Sequence, residues 1–491
     1  MEDEEESGPT IRDNLTGMLI ISMLVSYLGY FQYGYTVLVV HNPASHLISN
    51  ITKMEMKNLK VFWFALSPAV IFFPVGGVTG VVLFGNLVDK YGRRYLLLLN
   101  NAFSLLASAF LCLSNIIQIF KFTIFASFIT GICAGIFSCC VPIYLLEVSP
   151  TPMRGSLTAT SVLFFIFGIV IGQILGLPQI LGNKEGFPLL AAVLGVIATV
   201  CILLLLICPE SPRFLFIQMK DETKAREVLK SLRVQEDVED EIQELQKEDL
   251  YEYEGNEKEI TIWKLLCMQK FRWPIITVIV FMAGSQLSGI NGLFFYAEKI
   301  YEAMQLSKKN ANIVSLAISV IAIFIILTAI NVIETWGRRI PLIMGFMICS
   351  MTCILLTFTL EFQVYNPLMA YLSLICIILF LIGYMLGPAS IRIVILGELF
   401  LQSSRASAYM VGCCAVWFTR VVSGLILIQL ELLLGPYSLL VYWPSCVATF
   451  IYLFKMIPET KGKSFLEIQK AMAERSAKPK KNKQLEITEN S

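Results

Sequence analysis

The chain has 491 residues, of which 56% are hydrophobic and only 15% charged, and its mean hydropathy is +0.70. Soluble chains carry about 25% charged residues, so this one has too little charge to cover a water-exposed surface. A net charge of +1 excludes a basic nucleic-acid surface, and two histidines, His41 and His46, leave no material for histidine catalysis, a proton relay or a histidine metal cluster.

In chain order, residues 1–16 form a tail that opens with the acidic stretch MEDEEESG and is read as cytoplasmic. Charge-free runs then fall near 18–40, 61–86, 95–119, 122–143, 157–178 and 187–208. Each approaches the ~20 apolar residues that a helix needs to cross a bilayer. The first run comes after acidic residues and has no clear cleavage site, so it is a span and not a signal peptide. Residues 209–273 are dense in Lys and Glu; DETKAREVLKSLR and VEDEIQELQ predict short amphipathic helices, with Asp221 as the cap of the first. Apolar runs resume near 274–296, 313–333, 341–360, 370–396, 407–430 and 436–456, and a Lys-rich tail occupies 458–491. The thirteen cysteines sit mostly inside these runs with no CxxC pair, and read as packing residues without a metal site. The pattern predicts an all-α integral membrane protein of twelve transmembrane helices. Two six-helix bundles, 17–208 and 274–457, are joined by a cytoplasmic linker over 209–273.

Lys90, Arg93, Arg94, Arg154, Arg338, Arg339 and Arg405 all fall on the side of the linker and the C-terminal tail, which predicts that both termini are cytoplasmic. The sequon Asn50-Ile51-Thr52 then lies in the first outer loop as a glycosylation site, while Asn14-Leu15-Thr16 lies inside and matches by chance.

The charged residues repeat. Asp89-x-x-Gly92-Arg93-Arg94 recurs as Glu334-x-x-Gly337-Arg338-Arg339, an offset of 245. Glu147 and Arg154 recur as Glu398 and Arg405 at 251, and Pro209-Glu210-Ser211 as Pro458-Glu459-Thr460 at 249. Three charged patterns at one spacing mark two parallel repeats of six spans, an arrangement of secondary transporters. All lie at one end of the bundles, where acids and arginines can form a network that opens and closes with the conformational state. Asp89, Arg93, Arg94, Glu147, Arg154, Glu334, Arg338, Arg339, Glu398 and Arg405 are therefore the candidate gating charges.

GNLVDKYGRR (85–94), EVSPTPMRG (147–155), PESPRF (209–214), QLSGIN (286–291), ETWGRR (334–339), ELFLQSSR (398–405) and PETKGK (458–463) together resemble the sugar-porter branch of the major facilitator superfamily, specifically the facilitative hexose transporters. The likeness covers roughly residues 15–470. FQYGY (31–35), LQSSR and the missing Trp after the tenth-span Gly-Pro look closest to the fructose-transporting class. The resemblance implies the major facilitator fold, a central sugar site and alternating access.

It also implies site residues. Gln286, Asn291, Tyr296 and Trp417 match family positions that contact sugar or close over it; Gln173 matches a further polar position and Tyr33 an aromatic of the fructose class. A hexose presents hydroxyls and a ring face, which amides and an aromatic suit. Gln286 and Asn291 are five apart, about 140° round a helix, so both point inward only if Gly289 breaks the helix. Val162, Ser285, Ala322 and Tyr384 replace polar family partners, Ser127 replaces an Arg, and Gly387-Pro388-Ala389-Ser390-Ile391-Arg392 lacks two of three prolines.

Two arginines lie inside spans. Arg392, six residues and about 9 Å of helix from Glu398, is expected to snorkel to the inner surface. Arg420 lies about 18 Å along its helix from the inner edge, too deep to escape, and stands at a family Asn position. Three roles remain open for it: anion binding in the cavity, structural hydrogen bonds to carbonyls, or loss of transport. Thr36 stands where proton-coupled relatives carry an Asp, and no Asp or Glu lies deep in a span, so uniport without a cofactor is expected. The leading function is facilitated diffusion of a hexose, fructose foremost, across the plasma membrane. The alternatives are a urate-like organic-anion carrier and a non-transporting membrane sensor; no nucleophile–base pair points to an enzyme.

Overall fold

The structure is a computed structural model, and it describes residues 16–55, 71–117, 120–150, 153–183, 185–234, 237–254, 262–363, 365–463 and most of 467–475. The acidic N-terminal tail, residues 476–491 and the Asn50 side chain of the predicted sequon lie outside the described residues.

The first half holds α1 (Gly17–Glu55), α2 (Phe73–Tyr91), α3 (Arg93–Ile117), α4 (Phe120–Val148), α5 (Arg154–Leu175) and α6 (Phe187–Ile207). The linker folds as α7 (Glu222–Leu232), α8 (Glu239–Glu254) and α9 (Ile262–Cys267). The second half holds α10 (Arg272–Gln286), α11 (Ile290–Ala303), α12 (Lys308–Trp336), α13 (Arg339–Phe362), α14 (Leu368–Tyr384), α15 (Ile391–Glu398), α16 (Gln402–Leu434) and α17 (Trp443–Met456). Helices 10 and 11 make one span, as do 14 and 15, the latter joined through a π-helical turn over Met385–Ala389. Among the described residues ten spans are long and apolar enough to cross a bilayer, and α1 with α2, whose apolar stretch Phe73–Gly85 is shorter, brings the set to twelve. Backbone polar groups have no partner in lipid, so only helices or closed barrels can cross it, and the described residues contain no strand.

Val196, Leu203 and Leu206 on α6 and Phe324 on α12 are more than half exposed, as a lipid-facing surface requires. Within the first bundle the helices approach to backbone contact through small residues. A Cβ on Gly80 would stand 2.2 Å from the Ile132 carbonyl oxygen, and one on Gly135 2.2 Å from that of Gly77. Gly76/Gly80 and Gly131/Gly135 are each spaced by four, the small-residue register that brings membrane helices together where hydrophobic drive is absent. Asp221 caps α7 as expected, accepting a hydrogen bond from the Lys224 backbone N–H at 3.1 Å. The two halves meet along a seam where α16 packs on α2 and α4, α12 on α5, and α15 on α4 and α5.

Candidate functional site

The second-half span that packs on α16 is a broken helix. α10 stops at Gln286, and Gly289 takes φ +99°, a left-handed conformation that a side chain would strain, before α11 begins at Ile290. The break removes the 140° separation of a continuous helix. Gln286 is 6% exposed, and its amide has no hydrogen-bond partner among the described residues, while Asn291 donates from Nδ2 to Ser423 Oγ at 3.3 Å across to α16. On α16, six residues before Ser423, Trp417 is 1% exposed, with its indole N–H donating to Ser138 Oγ on α4 at 3.3 Å. Its ring covers Gly77 on α2, where a Cβ would come within 2.3 Å, and neighbours Phe73 and Tyr33 at centroid distances of 5.7 and 5.8 Å. Tyr33 packs in turn on Phe165 of α5 at 4.8 Å. Amides free of protein partners and an aromatic cluster that joins the two halves are chemistry suited to a polyhydroxylated ring.

The remaining predicted positions are engaged differently. Gln173 donates from Nε2 to Ser315 Oγ on α12 at 3.3 Å, a contact between the halves, and its Oε1 is buried without a partner. The Tyr296 hydroxyl lies 2.6 Å from the Gly435 carbonyl and 2.7 Å from Ser438 Oγ, so it ties α11 to the start of the last span. Arg420 lies over the rings of Trp417 and Phe73 at 5.5 and 5.8 Å and makes no hydrogen bond to a backbone carbonyl among the described residues. Arg392 corrects the expectation of snorkelling: its Nη1 donates to Ser285 Oγ at 3.2 Å, beside Gln286. A guanidinium that finds a hydroxyl within the bundle has no reason to extend 9 Å to the surface. Thr36, in the place of a proton-binding carboxylate, donates to the Gln32 carbonyl of its own helix at 2.8 Å.

At the linker end, the repeated charges assemble into two matching clusters. Arg93, fully buried, donates from Nη2 to Glu147 Oε1 at 3.2 Å, forms an ion pair with that carboxylate at 3.0 Å, and lies 3.7 Å from Asp89. Arg338 bonds Glu398 at 3.0 Å in the second half. Glu210 accepts the backbone N–H groups of Arg93 and Arg94, and Glu459 those of Arg338 and Arg339. Arg94 donates to the Leu205 carbonyl and Arg339 to that of Phe454, again 249 residues apart. Burial pushes the Glu210 carboxyl up. Burial acts likewise on Glu459, but the backbone N–H groups of Arg338, Lys461, Arg339 and Thr460 outweigh it and hold that carboxyl below the usual range.

The symmetry then fails in three places. Glu334 is exposed and its carboxylate makes no ion pair among the described residues, whereas its counterpart Asp89 also accepts from Gln218 Nε2 at 2.9 Å. Glu398 takes a second bond from Thr460 Oγ1 at 2.6 Å, within its own half. Glu147 instead reaches across the seam: Gln402 Nε2 donates to it at 2.8 Å, and Arg405 stands 4.0 Å away. Arg154 faces the same place, lining a small cleft with Glu147, Arg213, Arg233, Glu241 and Glu244. Arg338 lies against Gly155 of the opposite half, where a Cβ would come within 2.4 Å of its Nη2.

The linker closes over this cluster. Arg213 is paired with Glu244 at 3.1 Å and with Glu248, and Glu248 Oε1 accepts the Gln402 backbone N–H at 3.2 Å. Burial would raise the Glu248 carboxyl, but Arg213 and Arg405 hold it below the usual range. Gln402, Arg213 and Glu248 were not among the predicted gating residues. Two of them sit within the quoted motifs PESPRF and ELFLQSSR, so the motifs carried the signal though charge repetition did not.

The family described as sugar (and other) transporter matches residues 22–472. The chain is 40% identical over 475 residues to the mouse protein named solute carrier family 2, facilitated glucose transporter member 5, covering 95% of this chain and 93% of that one. It is 38% identical to the human protein of the same name, covering 95% and 94%, and 35% identical to mouse member 7, covering 97% and 95%. The solved structure of the proton:xylose symporter XylE bound to 6-bromo-6-deoxy-D-glucose superposes with a TM-score of 0.81 at 18% identity, covering 93% of this chain and 98% of that one, which shows the shared major facilitator fold. The broken seventh span, the paired charge clusters and these likenesses agree: the chain is a multi-pass membrane protein of the sugar (and other) transporter family and, within it, of solute carrier family 2, a family of transporters and not of enzymes.

Proposed function

We propose that this protein carries a hexose, fructose foremost, through the plasma membrane by facilitated diffusion, with both termini in the cytoplasm. The observation that carries this reading is the Gly289 break, which leaves the Gln286 amide without a hydrogen-bond partner among the described residues, on a span that packs against the helix carrying Trp417. The names of the similar solute carrier family 2 proteins support a sugar as cargo. In this reading Gln286 and Asn291 bond sugar hydroxyls, Trp417 and Tyr33 cover the ring, and Gln173 and Tyr296 hold the helices that frame the site.

The bundles 17–208 and 274–457 then move against each other around the seam. The charge clusters act as the inner gate. Glu147 with Gln402 and Arg405, and Arg338 against Gly155, must separate before the site opens inward, while Arg93–Glu147 and Arg338–Glu398 stay within their own halves. Thr36, whose hydroxyl is bonded within its helix, offers no proton-binding group, which supports uniport. The test is counterflow of labelled fructose and glucose into liposomes holding the purified protein. Saturable fructose counterflow insensitive to a protonophore is expected, with Gln286→Ala weakening it about tenfold for one lost hydrogen bond. Absence of both fluxes from folded protein would overturn the proposal.

A further inference from the structure

Away from the charge clusters, the spans of the second half hold Arg392 and Arg420, and no carboxylate pairs with either among the described residues. Arg392 bonds only the Ser285 hydroxyl, and Arg420 meets only the faces of Trp417 and Phe73, among those residues. Ser285, which holds Arg392, adjoins Gln286, and Ser423, which holds Asn291, lies one helical turn from Arg420, so the two charges stand on either side of the Gly289 break. The acids on the same and neighbouring helices are already engaged elsewhere: Glu398 with Arg338 at 3.0 Å, Glu431 with Lys299, and Glu147 with Arg93 at 3.0 Å. Aromatic faces attract a cation but accept none of the five guanidinium N–H donors, so the half-buried guanidiniums keep donors to spare for a ligand. Gln286, whose amide has no partner among the described residues, follows Ser285 directly, and Asn291 bonds Ser423, one helical turn from Arg420.

We infer that the central site takes a hexose-sized polyol bearing one carboxylate, a hexonate or hexuronate, with Gln286 and Asn291 bonding its hydroxyls and Arg420, supported by Arg392, bonding its carboxylate. The inference rests on the reading of the seam as the substrate site, and changes the cargo class that the site favours. A planar guanidinium matches a carboxylate through two parallel N–H···O bonds, which a neutral hexose cannot supply. Uniport of such a substrate moves one net negative charge per cycle, so its distribution must follow the membrane potential, whereas that of fructose does not.

The test uses the full-length protein in liposomes with labelled D-glucuronate, D-gluconate and D-fructose, and a potassium gradient clamped by valinomycin. Saturable uptake of a sugar acid is expected, and a roughly tenfold potassium gradient should shift its accumulation ratio about tenfold toward the positive side. Arg420→Gln should lower the glucuronate-to-fructose flux ratio about tenfold or more, and Arg420→Lys should restore part of it. Should these variants fail to fold, the voltage response of the wild type and a rise in its melting temperature with glucuronate decide the question without them. Fructose flux with neither movement of, nor competition by, the sugar acids would overturn the inference and leave the hexose reading standing. Sugar-acid flux with a ratio unchanged in both Arg420→Gln and Arg392→Gln would overturn the assigned residues. Folded protein that moves none of the three overturns both readings.

Discussion

Gln402→Leu isolates the contact between the halves at the inner gate. Gln402 is fully buried, donates to Glu147 at 2.8 Å and accepts from Arg405 Nη1 at 2.7 Å, so it relays a positive charge on α16 to a negative one on α4. Leucine keeps the volume and removes both bonds. Glu147 remains paired with Arg93 inside the first half, so the fold keeps its buried ion pair and loses one of its links across the seam, while Arg405 still stands 4.0 Å from Glu147. A hydrogen bond to a charged group contributes about 1.5–3 kcal/mol, which corresponds to a shift of roughly 10- to 150-fold in the equilibrium toward the inward-open state. The assay is maleimide labelling of native Cys139 and Cys413, 0% and 5% exposed on either side of the seam, with mass spectrometry in lipid nanodiscs as the readout. Cys267, exposed on the linker, is replaced by Ser to remove its background. Both seam thiols should label about tenfold faster or more in the variant. Equal rates in wild type and a folded Gln402→Leu protein would show that this contact does not hold the gate.

The same geometry sets three further outcomes. Glu147→Gln, unlike Gln402→Leu, removes the buried partner of the fully buried Arg93 and leaves it only the half-exposed Asp89 at 3.7 Å, so it should cost up to about 3–5 kcal/mol of stability and lower the melting temperature. Gly289→Ala forces a Cβ into φ +99°, a strain of about 1–2 kcal/mol, and should reduce counterflow more than stability because it resists the break that exposes Gln286; full activity would dissociate the break from transport. The Glu248 clasp gives a pH test. Its folded-state carboxyl titrates below the ordinary range, so its contribution is present above about pH 4.5 and lost as pH falls through the folded value. The melting-temperature gap between wild type and Glu248→Gln should therefore be full at pH 7 and close on acidification, and a gap that widens in acid would contradict the pairing with Arg213 and Arg405.

Much of this protein rests on local physics and was legible without coordinates. Each span needs only about twenty apolar residues, because lipid offers the backbone no partner but its own helix; α1 shows the limit, since the apolar run ends near residue 40 while the helix continues to Glu55. Asp221 is a cap because of the residues beside it, and the repeat at 245–251 residues announces two halves before either is seen. The Gly289 break was legible as a condition, since only glycine readily supplies the left-handed turn on which a shared site for Gln286 and Asn291 depends.

What tertiary structure alone decided is which groups meet. Glu147 and Glu398 look equivalent in sequence, yet one is bonded by Gln402 across the seam and the other by Thr460 in its own half. Arg392 could have gone to the surface, and a hydroxyl on α10 holds it inside. Such pairings depend on how far each helix is rotated and how closely it crosses its neighbours. Those quantities come from many small contacts summed along the helices, such as Gly80 on Ile132 and Gly135 on Gly77, and no single stretch of sequence contains that sum.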